Sequence, residues 1–350
     1  MSLASRIVKG DHRALARAIS LVESRDPAAE DLLRELHAGA ARAHVCGVTG
    51  PPGVGKSTLV QRLAVGLRAR GRKVAIVAVD PSSPFSGGAL LGDRVRMAKA
   101  LEDPSIYMRS LASRGQLGGL SAATGDVIAL LEAAGFDVVL VETVGAGQSE
   151  VEIMRLAHTT VVVTVPGLGD EIQANKAGIV EIADIFVVNK ADRDGVDRAV
   201  RQLNAMLDAN HMGEPGLNRW DCDAGPVSQM TAKGHLADRY GSAIAGQISW
   251  RPPVVKTASA IGNGIDETVD VLLRHLDFLT ESGRWLARRR QGAEERIRRE
   301  VQYLVNRHCL DLPRSTGALA MLVDAVNASR MDPQSAAEEL LALLPRKNAQ

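Results

Sequence analysis

The sequence predicts an α/β protein in which a mostly parallel central sheet is flanked by helices. Between residues 43 and about 280, short β-branched runs alternate with helical patterns, as in parallel sheets that are covered on both faces. Several runs end in a polar residue or a glycine turn, at the edge of the sheet where ligands bind. The first run leads into a glycine-rich phosphate-loop pattern at residues 50–57. The predicted fold class is therefore that of the P-loop NTPases, with helical extensions at both ends.

Two amphipathic helices are predicted before the sheet. Leu15, Ile19 and Val22 recur at i, i+4 and i+7, which is the spacing of one helix face. Asp26 and Pro27 have the residue types of an N-cap and a first helical position, so they predict the start of the second helix.

Seven β-branched runs are predicted as strands of the sheet. They cover residues 44–48, 74–79, 106–110, 138–141, 160–165, 185–188 and 254–257.

The chain becomes entirely helical in pattern after the sheet. One predicted helix carries an apolar stripe that is completed by His308, and its other faces carry arginines and glutamates from residue 288 to residue 300. We expect this charged cluster to be a solvated helix face. The stripe consists of Ile297, Val301, Leu304, Val305 and His308. Further helices are expected over residues 317–327 and 333–344.

Three parts of the chain follow from these patterns. We expect an N-terminal helical extension over residues 1–41, a nucleotide-binding domain over residues 42–282 and a C-terminal helical region over residues 283–350. The apolar stripes of the C-terminal region need a cover, and a partner subunit is one candidate.

Composition excludes several function classes. The formal net charge is +1 and aromatic residues make up 3% of the 350 residues, so no nucleic-acid partner is expected. Apolar runs are far shorter than the roughly 20 residues that span a bilayer, and the N-terminus has no signal-peptide pattern. We therefore expect a cytoplasmic protein without a membrane partner. Cys46, Cys222 and Cys309 have the spacing of neither a disulfide framework nor a zinc site.

Residues 50–57 fit the pattern G-x-x-x-x-G-K-[ST] without a departure. In such a loop, backbone N–H groups turn inward around the β-phosphate, the lysine adds positive charge, and the serine hydroxyl ligates Mg²⁺. Lys56 is accordingly a candidate catalytic residue. The predicted phosphate-binding residues are Gly50, Pro51, Pro52, Gly53, Val54, Gly55, Lys56, Ser57 and Thr58.

A second motif, N-K-x-D at residues 189–192, indicates that the base is guanine. The Asp192 carboxylate can accept two hydrogen bonds, from the ring N–H and the exocyclic amine of guanine, and adenine offers no such donor pair. Asn189 would tie this loop to the phosphate loop, and the Lys190 side chain would lie over the base. Ser259 and Ala260 follow the last predicted strand and fit the fifth GTPase element, whose backbone N–H contacts the guanine carbonyl. GTP and GDP are therefore the predicted ligands.

Carboxylates at strand ends predict a magnesium site beside the phosphates. Mg²⁺ prefers oxygen ligands, and Asp80 and Glu142 each follow an apolar run. Asp93 ends a glycine-rich loop between them, although its spacing fits a helix N-cap nearly as well. The predicted ligand is Ser57, with Asp80, Asp93 and Glu142 around the ion.

The segment Glu142-Thr143-Val144-Gly145 occupies the place of the D-x-x-G element of most GTPases. Gly145 can offer its N–H to the γ-phosphate, so Glu142 and Gly145 join the candidate catalytic residues. Enzymes of the Ras type have a water-orienting glutamine next to this glycine, whereas this chain has Ala146 there and Gln148 further on. We therefore expect hydrolysis to be slow until a partner protein accelerates it.

These motifs together resemble the MeaB/MMAA/ArgK family of metallochaperone-type GTPases. The resemblance covers nearly the whole chain and is carried by the segments already described, above all Asp-Pro-Ser-Ser-Pro at 80–84 and Glu-Thr-Val-Gly-Ala-Gly-Gln-Ser-Glu at 142–150. It implies a GTP-dependent chaperone of an adenosylcobalamin-dependent acyl-CoA mutase, most often methylmalonyl-CoA mutase. It also implies a homodimer joined through the C-terminal helices. Residues 166–176 match an additional switch of the family, in which Lys176 would supply a catalytic positive charge.

A small-molecule kinase is the alternative function. The older ArgK label suggests phosphorylation connected with the transport of basic amino acids, and the phosphate loop alone is compatible with it. A kinase needs a positioned base for the acceptor, and the sequence shows no such constellation. A switch GTPase is therefore the favoured interpretation.

Overall fold

The central sheet has seven strands, all parallel, in a computed structural model of the chain. The structure describes residues 1–37, 43–80, 103, 105–112, 123–143, 155–167, 183–213, 241–244, 247–307, 309 and 317–342. The strands are β1 His44–Thr49, β2 Val74–Asp80, β3 Tyr107–Ala112, β4 Val138–Thr143, β5 Thr159–Thr164, β6 Ile185–Val188 and, after a hairpin of β7 Gly241–Ile244 and β8 Gln247–Trp250, β9 Val254–Lys256. Their order across the sheet is β3-β2-β4-β1-β5-β6-β9. The predicted fold class is confirmed.

Helices surround the sheet and continue beyond it. The described helices are α1 Leu3–Val8, α2 His12–Glu23, α3 Pro27–His37, α4 Lys56–Ala69, α5 Thr124–Ala133, α6 Val196–Gly213, α7 Ile265–Glu281, α8 Arg284–Asn306, α9 Ala318–Asn327 and α10 Pro333–Ala342.

Helices cover both faces of the sheet, and alternate residues of each strand point to opposite faces. On β2, Ala75 and Val77 pack in one apolar core with α2, α3 and α5. Val74 and Ile76 of the same strand pack in a second core with α4 and α7. The strands β1, β4, β5 and β6, whose residues are all buried, therefore have no solvent-facing side.

The N-terminal helices are part of this layered packing. Leu15, Ile19 and Val22 of α2 are buried, as their spacing predicts. The Asp26 carboxylate accepts a hydrogen bond from the backbone N–H of Ala28 at 2.9 Å, so Asp26 caps α3 as predicted. Helix α1, which is only six residues long and is capped by Ser2, is not predicted from the sequence.

The chain divides into two compact units, Met1–Gly292 and Ala293–Gln350, and α8 runs across the division. The predicted division into residues 1–41, 42–282 and 283–350 remains a prediction. In the second unit, Ile297, Val301 and Leu304 are 66%, 53% and 41% exposed. His308 lies outside the described residues. None of the helices within the described ranges has the length and apolar character needed to cross a membrane.

The prediction of a solvated arginine face on α8 is wrong for two of its residues. Arg288 is 8% exposed and Glu295 is 7% exposed. The high density of charged residues in this segment indicated a solvated face, but an arginine can be buried when an acid from another element pairs with it.

Candidate functional site

The phosphate loop connects β1 to α4 and depends on glycine backbone geometry. Gly50, Gly53 and Gly55 have φ angles of +139°, +75° and +92°, a region that favours glycine. A Cβ at Gly50 would lie 2.1 Å from the carbonyl oxygen of Val163 on β5. A Cβ at Gly55 would lie 2.5 Å from Asn189 Nδ2. The loop is therefore shaped by its close approach to the neighbouring strand ends.

Gly50→Ala and Gly53→Ala are expected to differ sharply in their effects. A Cβ at Gly53 has no neighbour within 4 Å, so Gly53→Ala should lower the free energy of unfolding by about 1–2 kcal/mol, the cost of a left-handed backbone conformation for a residue with a side chain. Gly50→Ala adds a backbone clash to its strain and should lower the free energy of unfolding by more than about 3 kcal/mol. Urea denaturation of the two variants measures the difference. Equal midpoints would show that the Gly50 backbone is not confined as the structure indicates.

Lys56 lies inside the loop and is 6% exposed. Its Nζ atom donates hydrogen bonds to the carbonyl oxygens of Gly50 at 2.8 Å and Pro51 at 2.9 Å. Lys56 is also the first residue of α4, whose N-terminus has no side-chain cap. A buried ammonium group and the positive end of a helix thus face the same loop, and together they can bind an anion.

Ser57 and Glu142 form the oxygen-rich part of the site. The Ser57 hydroxyl donates a hydrogen bond to Glu142 Oε1 at 2.6 Å, and Glu142 is 8% exposed. Strand pairing produces this contact, because Glu142 on β4 is in register with Val48, close to the end of β1. A hydroxyl and a buried carboxylate are hard oxygen donors, so this pair fits the chemistry that Mg²⁺ requires.

The other predicted magnesium and catalytic residues are placed only in part. Asp80 ends β2 two positions beyond Ala78, the residue in register with Glu142, so its backbone lies at the same edge of the sheet. Asp93, Gly145 and Lys176 lie outside the described residues. Within the described ranges, no group of three or more His, Cys, Asp or Glu side chains is arranged to hold a metal ion.

Asn189 joins the phosphate loop to the two loops of the predicted base site. Its Nδ2 donates to the carbonyl oxygen of Val54 at 2.8 Å. Its Oδ1 accepts hydrogen bonds from the Thr257 hydroxyl at 3.0 Å, from the Ser259 N–H at 3.1 Å and from the Ser259 hydroxyl at 2.8 Å. Asn189 is 2% exposed, so these bonds are made away from solvent. Its side chain therefore fixes the relative positions of three loops.

The remaining residues of the predicted base site lie around Asn189. Lys190 has a φ of +56°, and its Nζ donates to the carbonyl oxygen of Gly53 at 2.7 Å. Asp192 is exposed, two residues further along this loop. Ser259 is 2% exposed, whereas Ala260 is exposed.

Sequence reasoning missed two contacts of this site. The Thr257 hydroxyl bonds to Asn189, and Arg62 of α4 donates to the Ala260 carbonyl oxygen at 3.1 Å. The sequence predicts only a strand position for Thr257, and Arg62 has the spacing of an ordinary surface residue of a helix. No local pattern distinguishes either residue, because each partner is distant in sequence.

The seven-stranded parallel sheet and the glycine loop ahead of α4 define a nucleotide-binding protein of the P-loop class. A family model described as methylmalonyl-CoA mutase-associated GTPase MeaB matches residues 15–313. The chain belongs to this family and is a GTPase.

Known relatives support this assignment across the whole length. An inferred GTPase of Pyrococcus abyssi is 42% identical over 339 residues, covering 97% of this chain and 95% of the relative. The mitochondrial methylmalonic aciduria type A homolog of Mus musculus is 30% identical and covers 96% of this chain and 77% of that protein. A crystal structure named as a LAO/AO transport system kinase is 26% identical, with a TM-score of 0.61, and covers 97% of this chain and 95% of that one. The resemblance stated from the sequence is confirmed.

Proposed function

We propose that this GTPase is a chaperone of an adenosylcobalamin-dependent acyl-CoA mutase, and that methylmalonyl-CoA mutase is its client. It would gate the loading of the cofactor and protect or reactivate the mutase. The match to the mutase-associated family over residues 15–313 is the observation that carries this proposal. The name of the mouse relative, which refers to methylmalonic aciduria, points to the same metabolism.

We also propose residue roles at the nucleotide site. Residues 50–58 bind the phosphates, Asp192 recognises guanine, and the Ser259–Ala260 backbone completes the base pocket. The hydrogen bonds of Asn189 support this assignment, because they link the phosphate loop with the two loops of the predicted base site. Mg²⁺ would be held by Ser57 with Glu142, Asp80 and Asp93, and it would supply charge neutralisation at the phosphates.

The chain's own residues contribute mainly position and charge to hydrolysis. Lys56 carries a positive charge within the loop, where its Nζ donates to two loop carbonyls, and we propose that it would exchange these partners for phosphate oxygens. The N-terminal N–H groups of α4 add fixed dipoles aimed at the same point. Gly145 and Lys176 are proposed to act on the γ-phosphate and on the transition-state charge.

The decisive experiment is GTP hydrolysis measured with and without a candidate mutase. We expect slow turnover by the isolated chain and at least about tenfold stimulation by the client, because a coupling of 1–3 kcal/mol between binding sites is typical. The mutase should also shift GDP and GTP affinity. No change in either rate or affinity with any acyl-CoA mutase would refute the chaperone role.

The same experiment separates the kinase alternative. Transfer of the γ-phosphate to arginine, ornithine or a binding protein would support a kinase, whereas a chaperone GTPase releases it as inorganic phosphate. The structure that is named as a transport system kinase makes this comparison necessary.

We further propose that the chain is a cytoplasmic homodimer. The exposed apolar side chains of α8, which recur at i, i+4 and i+7, support the dimer because a second copy can bury them. Sedimentation equilibrium at micromolar concentration tests it, and a mass of one chain under those conditions would contradict it.

A further inference from the structure

One face of the first two turns of α8 contacts the amino ends of three central strands. Trp285, Arg288 and Arg289 lie at i, i+3 and i+4, so they project from the same side of the helix. This edge of the sheet is opposite to the one that carries the phosphate loop and Asn189. The function proposed above does not use it.

Arg288 forms a buried ion pair with Asp184, the residue immediately before β6. The Nη2–Oδ1 distance is 2.8 Å, and both side chains are 7% exposed. Asp184 Oδ2 also accepts a hydrogen bond from the backbone N–H of Thr160 on β5 at 2.8 Å. The ring of His275 is 3.5 Å away, but burial lowers its pKa to about 4, so the ring is neutral at pH 7. Arg288 therefore supplies the positive charge that offsets Asp184.

Arg289 contacts the start of β1 indirectly, through a carboxylate of α5. Its Nη1 atom lies 2.9 Å from Glu132 Oε1 on α5, and the same oxygen accepts the backbone N–H of Ala43 at 3.3 Å. Trp285 adds ring contacts beside this pair. Its ring centroid is 4.4 Å from that of His158, the residue before β5, and 6.1 Å from that of His44, the first residue of β1.

The two contacted strands lead directly to the two halves of the nucleotide site. β6 (Ile185–Val188) connects Asp184 to Asn189, and β1 (His44–Thr49) connects Ala43 to Gly50, which are spans of about 16 Å and 23 Å at the rise of an extended chain. Every residue of both strands is buried. Both strands pair with a neighbour on each side, so each is a continuous extended segment between its amino-terminal contacts and the nucleotide site.

We propose that Arg288 and Arg289 are positioning residues for the nucleotide site, acting on base recognition through β6 and on the phosphate loop through β1. Arg288 fixes the position of the amino end of β6, and therefore the position of Asn189 relative to Thr257, Ser259 and Val54. Arg289 fixes the position of the amino end of β1 through Glu132. The packing of the first two turns of α8 against the sheet and the binding of nucleotide then stabilise each other.

The test compares Arg288→Gln, Arg289→Gln and Arg290→Gln in the full chain, using isothermal titration with GDP and with tripolyphosphate. Arg290 is an exposed neighbour on the same helix and serves as the matched control. Arg288→Gln should raise the Kd of GDP by about three- to thirtyfold and that of tripolyphosphate by a smaller factor, because Asn189 makes one hydrogen bond to the phosphate loop and three to the base-site residues Thr257 and Ser259. Arg289→Gln should weaken both ligands by similar factors. Wild-type GDP affinity in Arg288→Gln, or equal losses of both ligands in that variant, would overturn the proposal.

A second pair of variants covers the case in which Arg288→Gln does not fold. Removing one partner leaves an uncompensated buried charge, whereas Asp184→Asn combined with Arg288→Gln removes both. Arg288→Lys keeps the charge and should recover part of the GDP affinity. Wild-type GDP affinity in the folded double variant would equally refute the idea.

This inference rests on the nucleotide roles proposed for the site but needs no mutase. A failure of the chaperone assay would therefore leave it standing. The base and phosphate roles themselves are tested separately at Asp192 and Lys56.

Discussion

Replacing Lys56 by alanine is expected to reduce GTP hydrolysis by at least about 100-fold, the cost of losing one preorganised charged donor in a phosphoryl-transfer site. Its ammonium group is held within the loop by the Gly50 and Pro51 carbonyls, so it is already positioned for phosphate. Phosphate release under single-turnover conditions, with enzyme in excess, measures the chemical step without interference from product release.

The control for this variant is Lys73→Ala, which removes an exposed lysine just before β2. A loss in kcat that exceeds the rise in KM would indicate a role in the transition state rather than in binding alone. If Lys56→Ala hydrolysed GTP within about threefold of the parent and Lys73→Ala did the same, the proposed role of Lys56 would be wrong.

Asp192→Asn is expected to weaken GDP binding by about 10²–10⁴-fold and to create affinity for xanthosine diphosphate. Each hydrogen bond to a charged group contributes about 1.5–3 kcal/mol, and the carboxylate accepts two from guanine. Xanthine has a carbonyl oxygen where guanine has its exocyclic amine, so an amide donor at residue 192 complements it. Competition of each nucleotide against a fluorescent GDP analogue measures both effects.

Asp194→Asn is the matched control, since Asp194 is also exposed and lies in the same loop. It should keep the preference for guanine. If the Asp192→Asn variant bound GDP and xanthosine diphosphate as the parent chain does, another residue would have to recognise the base. The Asn189 contacts would then be structural only.

Much of the fold was predictable because β1, β4, β5 and β6 are buried along their whole length and therefore consist mostly of apolar or β-branched residues. All seven strands of the sheet were located to within two residues. The β7–β8 hairpin and α1 were missed because short elements carry too few residues to show a period. The phosphate loop and Asn189 were recognisable because their chemistry requires particular residues at fixed spacing.

The burial of Arg288 could not have been predicted from its neighbours in sequence. Residues 284–300 contain seven arginines and three glutamates, a charge density that is typical of a solvated helix. The acid that meets Arg288 is more than 100 positions away, at the start of β6. The same applies to Thr257, whose hydroxyl bonds to Asn189 from another strand end.

The sequence by itself determined the class of fold, the phosphate loop, the guanine motif and the family, because each depends on local spacing or on residue types that few other structures need. Only the tertiary structure showed that Asn189 also bonds to Thr257 and Ser259, that the Ser57 hydroxyl donates directly to Glu142, and that α8 contacts the starts of β1 and β6. Those contacts join residues far apart in the chain, and the register of parallel strands decides which of them meet.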